Sequence, residues 1–288
     1  MAVYVTSDAH GHVKALDEVL NAASIGKDDQ LFVVGDMIDR GPDPLGVVSL
    51  VRSLPNAEVL MGNHEQLMLS ALSRSGAPKD GAFDTSGFGP EEFGDWTGWM
   101  LNGGGVTATQ LEALSPEEFE DFEAWVRALP LFKVAQTSDR AYAIVHAGID
   151  PKRSAAWRGE HEDADLSCTE TLAELLAAQD AEDLLWIREE FWGAPTGLVD
   201  AEGAGPVVIA GHTPSPYLSL YVDDPNLVCA TDDGHGMIVE VGARELTGGI
   251  ADRVDIDCAA AGGFGIGRVG ILRLDDHKAW YAEVREGE

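Results

Sequence analysis

The sequence predicts an α/β protein, and three observations carry that expectation. Short apolar runs recur at a steady interval through the first 75 residues, and each is followed by apolar positions spaced along one helical face. The last eighty residues read differently, as short strands broken by glycine and aspartate.

In chain order, AVYVT (2–6), LFVVG (31–35) and AEVLM (57–61) are apolar or β-branched runs suited to buried strands. Val13, Leu16, Val19, Leu20 and Ala23 follow the first at helix-face spacing. Val47, Val48, Val51 and Leu54 follow the second, and Leu67, Met68, Ala71 and Leu72 the third. The runs begin 26 to 29 residues apart, close to the roughly 30 of a βαβ unit. A parallel sheet is expected, with its site on the loops at the carboxyl ends of the strands.

Residues 76–105, rich in glycine and acids, read as a surface excursion over that site. Ser115-Pro116-Glu117-Glu118 places a cap, a proline and a glutamate where a helix starts, with Phe119, Phe122, Trp125, Val126 and Leu129 as its apolar stripe. Strands resume at LFKVA (131–135) and AYAIVH (141–146), an acidic helical segment covers 168–192, and VVIAG (207–211) is a further strand. The closing strands predict a second, mostly antiparallel sheet. GGFGIG (262–267) follows no βα pattern and reads as a glycine-rich hairpin rather than a nucleotide loop. Without a linker or break in composition, residues 1–288 are expected to form one domain. It would carry cap-like inserts at about 76–105 and 150–205, and an extra β-hairpin at about 230–255.

Fifty acids against nineteen bases give a net charge of −31, with eleven acids and two bases in residues 76–130. Such a surface repels nucleic acid and anionic membranes, so neither is an expected partner. A phosphorylated substrate would need local positive charge from bound cations or placed arginines. The N-terminus lacks a basic start and apolar stretch, which points to the cytoplasm. Cys168, Cys229 and Cys258 have no CxxC spacing and read as free thiols.

The strand ends carry the chemistry. Asp8 and His10 follow the first strand, Asp36, Asp39 and Arg40 the second, and Asn63, His64 and Glu65 the third; His146 and His212 end two later ones. Histidine, carboxylate and amide oxygen are ligands for manganese, iron or zinc. Asp8, His10, Asp36, Asn63, His146 and His212 are too many for one open zinc site. They suit two divalent ions roughly 3.5 to 4 Å apart, bridged by a carboxylate. Asp36 is the natural bridge, with Asp8 and His10 on one ion and Asn63, His146 and His212 on the other.

The series DxH, GDMIDRG, GNHE, HAG and GHTP resembles the calcineurin-like metallophosphoesterases. GDMIDRG and GNHEQLM, with LNGGG and the arginine in LLWIREEFW, are most similar to bacterial and phage-lambda-type serine/threonine protein phosphatases. The resemblance spans residues 3 to about 215. It implies two mixed sheets packed face to face between helices, an α-β-β-α sandwich, and supports the six ligands. It further implies Arg40 and Arg188 as phosphate clamps, His64 as general acid and Asp39 as the group orienting His64, with Asn63 and His64 also facing the substrate. The implied reaction is in-line attack on a phosphate monoester by a metal-bridging hydroxide. Phosphoserine or phosphothreonine in a protein or peptide is the expected substrate, and manganese the first choice of ion over iron or zinc.

Two alternatives remain: a symmetrical dinucleoside tetraphosphatase or small-molecule phosphoesterase, and a catalytically silent metal-binding scaffold. Ser7 stands where the family usually has glycine, and its hydroxyl is placed to join the ligand surroundings. His12 reads as substrate-facing at best. Asn102 is either turned into the site or part of a flexible glycine turn, while Phe83, Phe88, Trp96 and Trp99 line a groove or anchor a loop. His161, His235, His277 and the acidic run 161–165 read as solvated surface. The family's closing turn corresponds either to residues 230–234 or to Ile256-Asp257-Cys258-Ala259.

Overall fold

A computed structural model describes residues 1–288. The first three strands and helices alternate as β1 (Val3–Thr6), α1 (Val13–Ala23), β2 (Gln30–Val33), α2 (Pro44–Ser53), β3 (Ala57–Val59) and α3 (Asn63–Leu72). Next come α4 (Pro90–Trp99), α5 (Gly105–Glu112), α6 (Pro116–Arg127), β4 (Phe132–Gln136) and β5 (Ala141–Val145). Four helices follow, α7 (Pro151–Glu160), α8 (Thr169–Ala177), α9 (Ala181–Trp186) and α10 (Glu189–Gly193). The chain closes with β6 (Val207–Ala210), β7 (Val239–Val241), β8 (Arg253–Asp255), β9 (Arg268–Arg273) and β10 (Lys278–Glu283).

Two five-stranded sheets form, in the orders β10-β9-β1-β2-β3 and β4-β5-β6-β8-β7. Strands β1, β2 and β3 are parallel, as are β5, β6 and β8. Because side chains alternate across a strand, each sheet buries two apolar faces. Val3, Val5, Phe32 and Leu60 meet Tyr142, Ile144, Ile209 and Val254 between the sheets. Tyr4, Leu31 and Val33 turn outward to Leu16, Val19 and Val47, while Val145, Val208 and Ala210 turn to Leu172, Leu176 and Phe191. The layers are helix, sheet, sheet, helix, as the family resemblance implies.

Three expectations need correction. Residues 76–105 hold helix α4, a π turn over Met100–Gly104 and the start of α5, with Trp99 fully buried. Gly89-Pro90-Glu91-Glu92 starts α4 with the same grammar as the segment before α6, and Glu92 accepts the Gly89 N–H at 2.8 Å. Glycine-rich, acidic composition hid that signal. Secondly, the closing strands make no sheet of their own. The β9–β10 hairpin extends the first sheet antiparallel to β1, and β8 lies parallel to β6 in the second. Buried Arg253 and Asp255 gave β8 no apolar pattern to detect. Thirdly, GGFGIG is no hairpin: it lies on the connection from β8 in one sheet to β9 in the other.

Within residues 230–255, Ala230 and Gly236 form an isolated bridge, and β7 and β8 pair antiparallel at the sheet edge. The acidic segment 168–192 breaks into three short helices. Asp180 caps α9, and Asp150 caps α7 ahead of it. All three cysteines are free. No helix is long and apolar enough to cross a membrane.

Candidate functional site

The loops after β1, β2, β3, β5 and β6 meet at the carboxyl edges of the two sheets. Backbone shape does much of the gathering. Asp8, His10, Asp36, Asp39, Arg40 and His212 all have left-handed backbones, φ from 41° to 69°. Such conformations cost of order 1–3 kcal/mol each outside glycine and persist only where surroundings impose them. Gly35 and Gly62 let the loops after β2 and β3 touch: a Cβ on Gly35 would lie 2.5 Å from Gly62 Cα and 2.9 Å from His146 Nδ1.

Asp36 lies at the centre and is buried. His10 Nδ1 lies 2.9 Å from Ile38 O, and His146 Nδ1 lies 2.8 Å from Val34 O, so each Nδ1–H donates to a backbone carbonyl. Burial pushes both rings below the usual histidine range and keeps them neutral. Their Nε2 lone pairs then face Asp36, His10 at 3.5 Å from Oδ2 and His146 at 3.4 Å from Oδ1. Acceptor confronts acceptor on both sides of one carboxylate, an arrangement that cations relieve. Burial alone would raise the Asp36 carboxyl, but the histidines around it outweigh that and hold it well below the usual range, His64 being the one ring among them raised above its ordinary value.

The remaining candidate ligands close around this pair. Asn63 Oδ1 lies 2.9 Å from His146 Nε2 and 2.8 Å from His212 Nδ1. The inward atoms of Asp36, His146 and His212 lie within 4.8 Å of one another, as do those of His10, Asp36 and His64. Asp8 Oδ1 and His212 Nε2 are buried without a hydrogen-bond partner, a condition that natural interiors rarely leave unexplained. The residues therefore fit two cations flanking Asp36. Asp8 is pushed well above the usual carboxylate range by burial and by the charges of Asp257 and Asp36. Ser7 donates its hydroxyl to Asp8 Oδ2. Of the two closing turns left open by the sequence, Ile256–Ala259 is the one that follows β8 to this edge, bringing Asp257 near Asp8.

Beside the centre, His64 Nδ1 lies 2.7 Å from Asp39 Oδ2. Burial alone would lower His64, but Asp36 and Asp39 raise it above the ordinary histidine value. Two residues not anticipated as partners lock Asp39. Trp99 Nε1 donates to both its oxygens, at 3.1 and 3.0 Å, and the Thr107 hydroxyl donates to Oδ1 at 2.6 Å while accepting the Asp39 N–H at 3.0 Å. Glu65 was also missed as a brace, although it belongs to GNHE. It accepts the N–H groups of Asp36, Met37 and Gly62, each at 2.9 Å, and burial beside Asp36 pushes its carboxyl up to about 7.

Arg40 is exposed, and its Nη2 lies 2.9 Å from His64 Nε2. With Nδ1–H given to Asp39, Nε2 accepts from Arg40; an anion that draws Arg40 away frees Nε2 for a proton. LNGGG explains itself here, and not as a flexible turn. Gly103 (φ 99°) packs where a Cβ would lie 2.8 Å from Arg40 Cγ, and its carbonyl accepts the Arg40 N–H at 3.2 Å. Asn102 turns away and donates to Gly98 O at 2.8 Å. Trp99 and Phe83 are core residues, and Trp96 packs on both. His12 is buried, with its Nε2 3.0 Å from where a Gly41 Cβ would stand.

Arg188 is not on a helix as its sequence setting suggested. It stands between α9 and α10, half-buried, and its Nη2 donates to His212 O at 3.2 Å. It lines a cavity of about 530 Å³ with Trp186, Lys152, Tyr221 and five acids, Asp150, Glu182, Asp183, Glu189 and Glu190. Trp186 joins this cavity to the centre: its ring meets the edge of His212 at 5.9 Å, and its Nε1 donates to Gln66 at 2.9 Å. His161 is exposed and stacks on Trp157, and His277 pairs with Glu240, both away from the centre.

Comparison with known proteins agrees with this geometry. A symmetrical bis(5'-nucleosyl)-tetraphosphatase of Proteus mirabilis is 28% identical over 156 residues, 53% of this chain and 46% of that protein. The chain thus spans about half the length of such relatives. Serine/threonine-protein phosphatase 1 of Salmonella typhimurium is 27% identical over 213 residues, 74% of this chain and 78% of that one. The solved structure of a proposed diadenosine tetraphosphatase superposes with a TM-score of 0.54 at 17% identity, covering 99% of this chain and 94% of the other. Residues 1–241 match the calcineurin-like phosphoesterase family. The chain belongs to that family and is a metallophosphoesterase.

Proposed function

We propose that this chain is a phosphate-monoester hydrolase that uses two divalent ions and acts on phosphoserine or phosphothreonine in proteins. The observation that carries the reading is Asp36, flanked on both sides by neutral histidine lone pairs. Asp8, His10 and Asp36 would hold one ion; Asp36, Asn63, His146 and His212 would hold the other. Bound ions of this kind polarise phosphoryl oxygens and lower the pKa of water from 15.7 to roughly 7. The nitrogen and oxygen donors suit manganese first, with iron or zinc as alternatives.

The chain's own residues supply the rest. Arg40 and Arg188 present planar forks to the phosphoryl oxygens. His64, held by Asp39, donates its Nε2 proton to the departing seryl or threonyl oxygen. Trp99 and Thr107 keep the Asp39 carboxylate, and through it the imidazole, in one orientation.

The cavity beside Arg188 supports a protein substrate over a dinucleotide. Five acids against Lys152 and Arg188 would repel a four-phosphate chain but tolerate a peptide carrying one phosphate. The broader match to the Salmonella phosphatase points the same way. The rival is symmetrical cleavage of dinucleoside tetraphosphates, favoured by the names of relatives such as the Proteus enzyme. Manganese-loaded protein offered a phosphopeptide, para-nitrophenyl phosphate and diadenosine tetraphosphate should release phosphate from the first two, and His64→Asn should abolish the peptide reaction. Turnover of the dinucleotide alone would reverse the choice.

A further inference from the structure

Arg253 lies on β8 between two neighbouring strands and is 0 % exposed, yet it touches none of the residues assigned above. Its Nε donates to Asp252 Oδ1 at 2.9 Å. Its Nη1 reaches three carbonyls, Phe191 at 2.7 Å, Trp192 at 2.9 Å and Ala194 at 2.5 Å. Asp252 Oδ2 accepts the N–H and the hydroxyl of Thr196 at 2.7 and 3.0 Å. The pair therefore grips the end of α10 and the segment leaving it.

Helix α10 is only five residues long and starts directly after Arg188. A helix so short does not hold its own shape, and its carbonyl end is complemented by a cation. Two contacts return from α10 to the centre. Arg188 donates to His212 O at 3.2 Å, and Trp192 Nε1 donates to Thr213 Oγ1 at 3.1 Å, one residue beyond His212. If sheet stability alone were at stake, apolar side chains would serve β8 as well as a buried ion pair or better.

We propose that Arg253, held by Asp252, is a positioning residue for phosphate capture: it anchors α10 so that Arg188 is presented beside His212. This rests on the reading of Arg188 as a phosphate clamp. Calorimetric titration of manganese-loaded protein with inorganic phosphate tests it without reference to turnover. Arg188→Ala should weaken phosphate about tenfold, the loss of a charge-assisted hydrogen bond. Arg253→Lys, which keeps the charge but has a single nitrogen and cannot hold Asp252 and the three carbonyls at once, should weaken it severalfold with manganese content unchanged. The double variant should bind no more weakly than Arg188→Ala, because the two act in series.

Losses that multiply in the double variant, or wild-type phosphate binding in Arg253→Lys while Arg188→Ala is weakened, would overturn this proposal and leave the clamp standing. Unchanged phosphate binding in Arg188→Ala would remove the clamp itself, and this proposal with it. Should Arg253→Lys fail to fold, Asp252→Asn enters the same cycle with the same readings.

Discussion

Replacing Asp39 with asparagine probes the proposed proton donor, His64, directly. In the native site the two Asp39 oxygens receive His64 Nδ1–H, the Trp99 indole N–H and the Thr107 hydroxyl. An asparagine must keep its single oxygen toward Trp99, which only donates, and toward Thr107, whose hydroxyl already accepts the residue-39 N–H and gives its own proton to the side chain. Its amide NH2 then faces His64 Nδ1 at the place of the present 2.7 Å contact. That stabilises the neutral ring protonated at Nε2 and opposes the imidazolium. A hydrogen bond to a charged group contributes about 1.5–3 kcal/mol, and one pKa unit is about 1.4 kcal/mol. His64 should therefore fall by about one to two units. Its native pKa is raised, so the proposed general acid is present below that value and lost as pH rises through it. The alkaline limb of kcat against pH for para-nitrophenyl phosphate should move down by the same interval. A limb that stays in place while the fold and metal content are intact would assign the proton donor to another group.

Further outcomes follow from neighbouring contacts. Gly103→Ala forces a Cβ against Arg40 at a φ of 99°. KM should rise with little change in bound metal, and Tm should drop by an amount matching about 1–3 kcal/mol of strain; wild-type KM would refute the packing argument. Chelation of the ions should lower Tm, since a ligand at 100 times its Kd contributes about 2.7 kcal/mol. Scanning calorimetry with and without manganese reads this, and identical midpoints would count against the ion pair. Glu65→Gln leaves at least one of three buried N–H groups facing an amide NH2. A loss of about 1–3 kcal/mol in urea denaturation, together with weaker manganese binding, is expected.

The three βα units were legible because each strand is locally apolar and each helix carries one apolar stripe, as at Val3–Thr6 and Val13–Ala23. The six candidate ligands were legible because each follows the end of a strand, β1, β2, β3, β5 or β6. What escaped depends on distant partners. Trp99 and Thr107 look like ordinary helix residues until Asp39 is placed between them, some sixty residues away in sequence. Arg188 sits in an acidic, helix-like stretch, and only the assembled chain shows the helix interrupted around it. Strand β8 was unreadable because its polar residues are buried: Arg253 gives its hydrogen bonds to the end of α10, and Asp255 accepts the Asp257 N–H.

The touching main chains at Gly35 and Gly62 carry an implication for redesign. The distance between the loop that carries Asp36 and the loop that carries Asn63 is ruled by peptide units in contact, braced by the Glu65 carboxylate. On the proposed ligand set, exchanging Asn63 would change which ion is preferred, but the gap between these two loops would stay as it is. A catalyst needing wider spacing would require a new loop, not a new side chain.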